Sequence, residues 1–270
     1  MIGEKMRRHV IQLSCDRFGC HVMQKAVDKL DQNLVISLID ALLESIPDTI
    51  THPFSCHVWQ RIFEVKWLNS PPPIMKSVQN SLFGQWAQIA NDESGSLVVQ
   101  CILEHCNEID KAPIVTEIFV CTLDIARGQW GNWVIQHLLD HGTASDQHHI
   151  MQIVLENAAL MSIDQYASKV VEKCVKGMSK KNLLRFIEII TEVPSDGRFH
   201  NANPSNPPIL RMMNHQYGNY VLQNVLGISE PQQRNSCVKM LIPHLNVLRG
   251  SKYGQRVSAI CEKHAKQRVY

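Results

Sequence analysis

The chain has 270 residues, 44% of them hydrophobic, and carries 27 Lys+Arg against 25 Asp+Glu for a formal net charge of +2. Its length and apolar content suffice for a continuous core, and its near-neutral balance excludes a protein that holds nucleic acid mainly through the phosphates. Nine cysteines, an odd number with no C-x-x-C pair, exclude a disulfide framework and suggest reduced thiols in an intracellular protein. The opening residues, Met1 to His9, contain no apolar core of a secretory signal, so none is expected. No stretch approaches the roughly 18 uninterrupted apolar residues of a membrane span, so no membrane association is expected.

In chain order, seven short stretches share one pattern. They are Phe18-Gly-Cys-His-Val-Met-Gln24, Phe54-Ser-Cys-His-Val-Trp-Gln60, Ser94-Gly-Ser-Leu-Val-Val-Gln100, Trp130-Gly-Asn-Trp-Val-Ile-Gln136, Tyr166-Ala-Ser-Lys-Val-Val-Glu172, Tyr217-Gly-Asn-Tyr-Val-Leu-Gln223 and Tyr253-Gly-Gln-Arg-Val-Ser-Ala259. Their third residues, here position i, lie at 20, 56, 96, 132, 168, 219 and 255, so the steps are 36, 40, 36, 36, 51 and 36. A nearly fixed period of this size denotes stacked supersecondary units.

Position i+2 is valine every time, from Val22 to Val257, and i+6 is Ala26, Ile62, Ile102, Leu138, Cys174, Val225 or Cys261. On an α-helix these two positions share a face, roughly opposite to i and i+4. Each motif is therefore expected to open a helix with a buried stripe on one side and an exposed pair, i and i+4, on the other. An aromatic stands at i−2 in every motif but the third, where Ser94 replaces it, and i−1 is always Gly, Ser or Ala. A small residue there lets the entering turn pass close to its neighbour.

Apolar helical stretches such as 114–126 and 150–163 precede the motifs. The expected architecture is all-α: a curved right-handed α-solenoid of about seven repeats, forming one domain over 1–270. The reading motifs fall at 18–24, 54–60, 94–100, 130–136, 166–172 and 217–223, with a degenerate one at 253–259. The longer steps coincide with Asn69-Ser-Pro-Pro-Pro73 and with a Pro/Ser/Asn-rich insertion, 194–208, which cannot continue a helix. The insertion suggests a disordered segment or a peripheral hairpin.

The polar pairs at i and i+4 are Cys20/Gln24, Cys56/Gln60, Ser96/Gln100, Asn132/Gln136, Ser168/Glu172 and Asn219/Gln223. The residues at i+1 are His21, His57, Leu97, Trp133, Lys169 and Tyr220. Two polar groups one turn apart beside a ring can grip a flat heterocycle. The pair bonds its edge and the ring covers its face, which is how splayed single-stranded RNA bases are recognised.

These motifs resemble the Pumilio (PUF) family of RNA-binding domains, over essentially the whole chain. The resemblance implies three-helix repeats. It also implies that Asn219/Gln223 and Asn132/Gln136 read uracil, that Ser168/Glu172 reads guanine, and that Cys20/Gln24, Cys56/Gln60 and Ser96/Gln100 read adenine. The chemistry agrees. Two amides match uracil's donor and two acceptors, while a carboxylate accepts from guanine's adjacent N1–H and N2–H. One Gln amide pairs with adenine N1 and N6, and a small Cys or Ser leaves room for the purine.

With the family's antiparallel polarity, repeats six to one spell 5′-U-G-U-A-A-A-3′. The implied role is post-transcriptional control of mRNA (repression, decay or localisation) in the cytoplasm, through UGUA- or UAA(A)-type elements of 3′ untranslated regions and recruited protein effectors.

The chain departs from the family pattern in having fewer than the usual eight repeats. Ala259 has no group for a base edge, though Arg256 can stack. Lys169 is a poor stacker, and Leu97 covers a base by apolar contact alone. The insertion could put repeat six out of line, leaving a tight core U-A-A(-A) on repeats four to one. A core so short suggests a homodimer or tandem sites on one RNA.

From periodicity alone, a HEAT- or armadillo-like protein-binding scaffold is an equal alternative; the recurrent polar triplets favour RNA. Trp59 and Trp86 are expected in the core or in packing between repeats. His137/His141 and His148/His149 lack a Cys or carboxylate at ligand spacing, so they are assigned to solvated surface and no metal is expected. No phosphate loop, nucleophile elbow or H-E-x-x-H occurs, so neither catalysis nor a cofactor is expected.

Overall fold

The computed structural model describes residues 2–67, 72–193 and 206–266, and every element within them is helical. Most of the 194–208 insertion and part of the Asn69–Pro73 cluster fall outside the described residues. The chain forms two compact units, Met1–Thr143 and Ala144–Tyr270.

Each motif opens a helix, as its apolar spacing predicts. In the first unit these helices are α1 (Gly19–Lys29), α2 (Ser55–Phe63), α3 (Glu93–His105) and α4 (Gly131–His141). In the second they are α5 (Ala167–Gly177), α6 (Gly218–Ile228) and α7 (Gln255–Lys266). Each is the last of a three-helix module. The apolar stretches expected as single helices are each broken in two: Glu108–Val120 is followed by Thr122–Ala126, and Ala144–Glu156 by Ala158–Ser162. The breaks fall at Cys121 and Asn157, whose backbones leave helical geometry. This divides each module into a long helix, a short helix and the motif helix.

Side-chain caps start several long helices one or two residues after a motif helix ends. Asp31 accepts from the Leu34 N–H at 3.1 Å, Asn107 from Asp110 at 2.9 Å and Ser179 from Asn182 at 3.3 Å. The rule of small residues at i−1 has a steric basis. A Cβ on Gly19 would lie 2.4 Å from the Leu13 carbonyl oxygen, and one on Gly131 would lie 2.5 Å from that of Ile125. The motif helix thus lies directly against the short helix before it.

In the first unit α1 packs on α2, α2 on α3 and α3 on α4; in the second α5 packs on α6 and α6 on α7. The valine stripe forms the core of this stacking. Val58, Val98, Val134, Val170, Val221 and Val257 are fully buried, whereas Val22 is 52% exposed. Val22, on the first motif helix, is thus the exception to an otherwise buried stripe. Trp59 and Trp86 are buried as expected, and the Trp59 indole N–H donates to Thr49 Oγ1 at 3.0 Å.

Candidate nucleic-acid interface

The motif helices begin at i−1 or close to it, so residue i sits in the first turn, where backbone groups lack intrahelical partners. The structure shows what supplies them. Four residues before i, a side-chain acceptor takes the N–H groups of i−2 and i−1. Asp16 Oδ1 accepts from Phe18 and Gly19 at 3.0 and 2.7 Å, and Asp92 Oδ1 from Ser94 and Gly95 at 2.9 and 2.7 Å. Asp164 Oδ1 accepts from Tyr166 and Ala167, both at 3.0 Å. These backbone donors hold the Asp16 carboxyl below its ordinary pKa.

In the second and sixth modules the acceptor is an imidazole. His52 Nδ1 faces the N–H groups of Phe54 and Ser55 at 3.2 and 3.5 Å, and His215 Nδ1 those of Tyr217 and Gly218 at 3.3 and 3.5 Å. Burial, with Arg211 nearby, holds His215 below the usual histidine pKa, consistent with a neutral acceptor ring. Ser251 Oγ fills the same place in the seventh module, accepting from Tyr253 and Gly254 at 3.2 Å each. Gly128 occupies the position in the fourth. These caps escaped the sequence reading, although their regular offset from the motif was the available signal.

The expected exposed pair requires correction at position i. Cys20, Cys56, Ser96, Asn132, Ser168 and Asn219 are all buried. Each lies in the first turn of its helix, and each side chain folds back onto the entry turn. Asn132 Nδ2 donates to the Gly128 and Gln129 carbonyls at 3.0 and 2.8 Å, and Asn219 Nδ2 to those of His215 and Gln216 at 2.7 and 3.0 Å. Ser96 Oγ donates to Glu93 O at 3.0 Å and Ser168 Oγ to Gln165 O at 3.4 Å. The Cys20 and Cys56 thiols reach Arg17 O and Pro53 O, each at 3.4 Å. Burial raises the Cys56 pKa. Residue i thus forms the floor of the site rather than its surface.

The surface is formed by i+4 and i+1. Gln24, Gln60, Gln100, Gln136, Glu172 and Gln223 are half-buried, while His21, His57, Leu97, Trp133, Lys169, Tyr220 and Arg256 are exposed. In the seventh module both Gln255 and Ala259 are exposed, so the floor seen elsewhere is missing there.

Residue i determines how the glutamine is held. Where i is Cys or Ser, Nε2 donates to the backbone carbonyl of i: Gln24 to Cys20 at 3.2 Å, Gln60 to Cys56 at 3.2 Å and Gln100 to Ser96 at 3.0 Å. Where i is Asn, Nε2 donates to the side-chain Oδ1: Gln136 to Asn132 at 3.0 Å and Gln223 to Asn219 at 2.9 Å. In all five, Oε1 accepts no hydrogen bond among the described residues. Each glutamine therefore presents one carbonyl oxygen to an incoming group, and all but Gln60, whose Nε2 also lies 3.5 Å from His57 Nδ1, present a further N–H.

The fifth module differs. Glu172 Oε1 accepts from Lys169 Nζ at 2.9 Å, and that ammonium lies 5.4 Å from the centre of the Tyr220 ring. Asn224 Nδ2, on α6, donates to Glu172 Oε2 at 3.3 Å.

The helical repeat is shared with known proteins. A family model described as a Pumilio-family RNA binding repeat matches residues 9–43, 47–65, 85–119, 121–155, 157–191 and 208–242. The chain is 38% identical over 267 residues to Meiotic coiled-coil protein 2 of Schizosaccharomyces pombe, covering 99% of this chain and 37% of that protein. It is 37% identical over 262 residues to Meiotic PUF family protein 1 of the same yeast, covering 96% and 43%. The chain thus spans about two-fifths of the length of these curated relatives. The crystal structure of PUF-8 in complex with PBE-RNA superposes with a TM-score of 0.79 at 26% identity, covering 96% of this chain and 72% of that one. The Puf3 RNA binding domain bound to a Cox17 3′ UTR recognition sequence superposes with a TM-score of 0.77 at 26% identity, covering 96% and 75%.

Proposed function

Because the chain belongs to the Pumilio family of RNA-binding repeat proteins, we propose that it binds single-stranded RNA sequence-specifically, one base to each motif helix. The observation that carries this reading is the recurrence of one arrangement. An exposed i+1 side chain lies beside a half-buried i+4 group with an unengaged carbonyl oxygen, over a floor residue that sets its hydrogen bonding.

Gln136 over Asn132, and Gln223 over Asn219, suit uracil, which offers one donor between two acceptors. Gln24, Gln60 and Gln100, over Cys20, Cys56 and Ser96, suit adenine, since the smaller floor leaves room for a purine. Glu172 suits guanine, whose N1–H and N2–H both point at a carboxylate. In the first unit, modules four to one read 5′-U-A-A-A-3′. In the second, modules six and five read 5′-U-G-3′. Target elements are then of the UGUA or UAA(A) type in 3′ untranslated regions. The role is control of message translation, decay or localisation in the cytoplasm through recruited protein effectors, with a homodimer or tandem sites doubling a short core.

A gel shift with the oligomer 5′-U-G-U-A-A-A-3′ against its scrambled counterpart tests the reading. Binding of the first at concentrations that leave the second free is expected. Equal or absent binding would favour a protein-binding scaffold on the same helical repeats.

A further inference from the structure

The code of the fifth module is not self-contained. Glu172 lies on α5, but the donor on its Oε2 comes from α6. Asn224 Nδ2 spans to it at 3.3 Å and also donates to the Tyr220 carbonyl one turn back on its own helix at 3.1 Å. Both N–H groups of that amide are thus committed, one to the helix that carries it and one to the neighbouring module's carboxylate. The Glu172 side chain is only 17% exposed. In the first unit Cys101, at the equivalent position of the third module, also reaches back to the module before it, but its thiol donates to the backbone carbonyl of Gln60 at 3.4 Å and leaves the reading side chain untouched. Of these two residues at i+5, only Asn224 engages the reading side chain of the module before it.

We propose that Asn224 is a specificity-determining positioning residue, which holds Glu172 so that guanine, and no other base, meets two acceptors. The inference rests on the guanine assignment of Glu172. A carboxylate has about four lone-pair sites on two oxygens. Asn224 takes one site on Oε2 and leaves the other for a base. Lys169 takes one site on Oε1, but its ammonium lies over the Tyr220 face. A base stacked on that ring at about 3.5 Å would come within contact distance of the ammonium, so Lys169 must yield while Asn224 stays. Asn224 is therefore the partner that survives binding, and it fixes the carboxylate against rotation. Guanine's paired donors require both oxygens in place at once. Adenine and cytosine offer one donor beside an acceptor and gain little from that order. Preorganisation of this kind acts on discrimination rather than on overall adhesion.

The test uses the full chain and RNAs that differ only at the nucleotide facing the fifth module, with Asn224→Leu and Asn224→Asp as variants. In Asn224→Leu the guanine-over-adenine ratio at that nucleotide should fall about tenfold, the scale of one hydrogen bond to a charged acceptor. Asn224→Asp should lose at least as much, because it sets a second carboxylate against Glu172. Uracil preference at the nucleotide facing the sixth module, read by Asn219 and Gln223 on the same helix, should persist in both and shows that α6 is intact. Full guanine discrimination in Asn224→Leu, or an equal loss of affinity for all four bases, would overturn the proposal. If the unaltered protein shows no guanine preference at this nucleotide, the assignment of Glu172 fails and the proposal fails with it. The readings of the first unit are judged separately, at their own nucleotides.

Discussion

Gln136 donates through Nε2 to the Oδ1 of Asn132 at 3.0 Å, while the Asn132 amide group is spent on the carbonyls of Gly128 and Gln129. The buried residue never reaches the surface, yet it decides which way the half-buried one faces. In the third module Gln100 has no such partner and falls back on the Ser96 backbone carbonyl. Base choice therefore depends on a floor and a reader together, and the floor acts both by bonding the reader and by its bulk.

The exposed side chains at i+1 should supply affinity with little sequence preference, because every base has a face to stack on. Trp133, 56% exposed on α4, is the largest of them. Trp133→Ala should weaken binding of a matched RNA by about 1–3 kcal/mol. The ratio of affinities for matched and mismatched bases at that nucleotide should hardly change. Filter-binding titrations against both RNAs measure the two quantities together.

One motif position should show two very different sensitivities. Val98 is fully buried, whereas Val22 is half exposed. Val98→Ala should cost about 2 kcal/mol, from lost burial plus an incompletely closed cavity. Val22→Ala should cost under about 0.5 kcal/mol. Urea unfolding of the two variants beside the parent protein gives both values.

Acid should weaken the sixth module through His215. Its pKa is held below the ordinary value by burial and by Arg211, and its Nδ1 caps α6 as an acceptor. Above about pH 6.5 the ring is neutral whether the chain is folded or not, and it adds no pH dependence. As pH falls through that value the unfolded chain takes up the proton first, so stability declines until His215 itself protonates. Asp164 holds the same place in the fifth module, so His215→Asp preserves the acceptor and should remove this part of the decline. Melting temperatures of both proteins between pH 7.5 and 5.5 should diverge, with the parent losing more. Parallel curves would exclude His215 as the cause.

Much of this architecture was legible in the sequence because it repeats. The invariant valine and the small residue at i−1 recur with each module: six of the seven valines are fully buried, and the small residue lets the motif helix lie against the short helix before it. The burial of Asn132 and Ser168 was not legible. Helical phase alone places i opposite i+2, and it takes no account of an entry turn to which the side chains of Asn132 and Ser168 fold back. The split at Cys121 was hidden for a similar reason: an apolar run marks what is buried, not where the backbone bends. Asn224 was invisible because its partner lies 52 residues away, in another module, and no spacing within one motif points to it.

The role of the floor residue in base choice is tested most sharply at one buried side chain. Asn132→Ser gives the fourth module the floor of the third, removes the acceptor that holds Gln136, and opens space below the base. Equilibrium binding should be measured for the parent and the variant on RNAs carrying each of the four bases at the nucleotide facing that module. Uracil should be preferred by the parent and adenine by the variant, each over the other by about 1–3 kcal/mol. A variant that still prefers uracil, or a parent indifferent to the base, would contradict it.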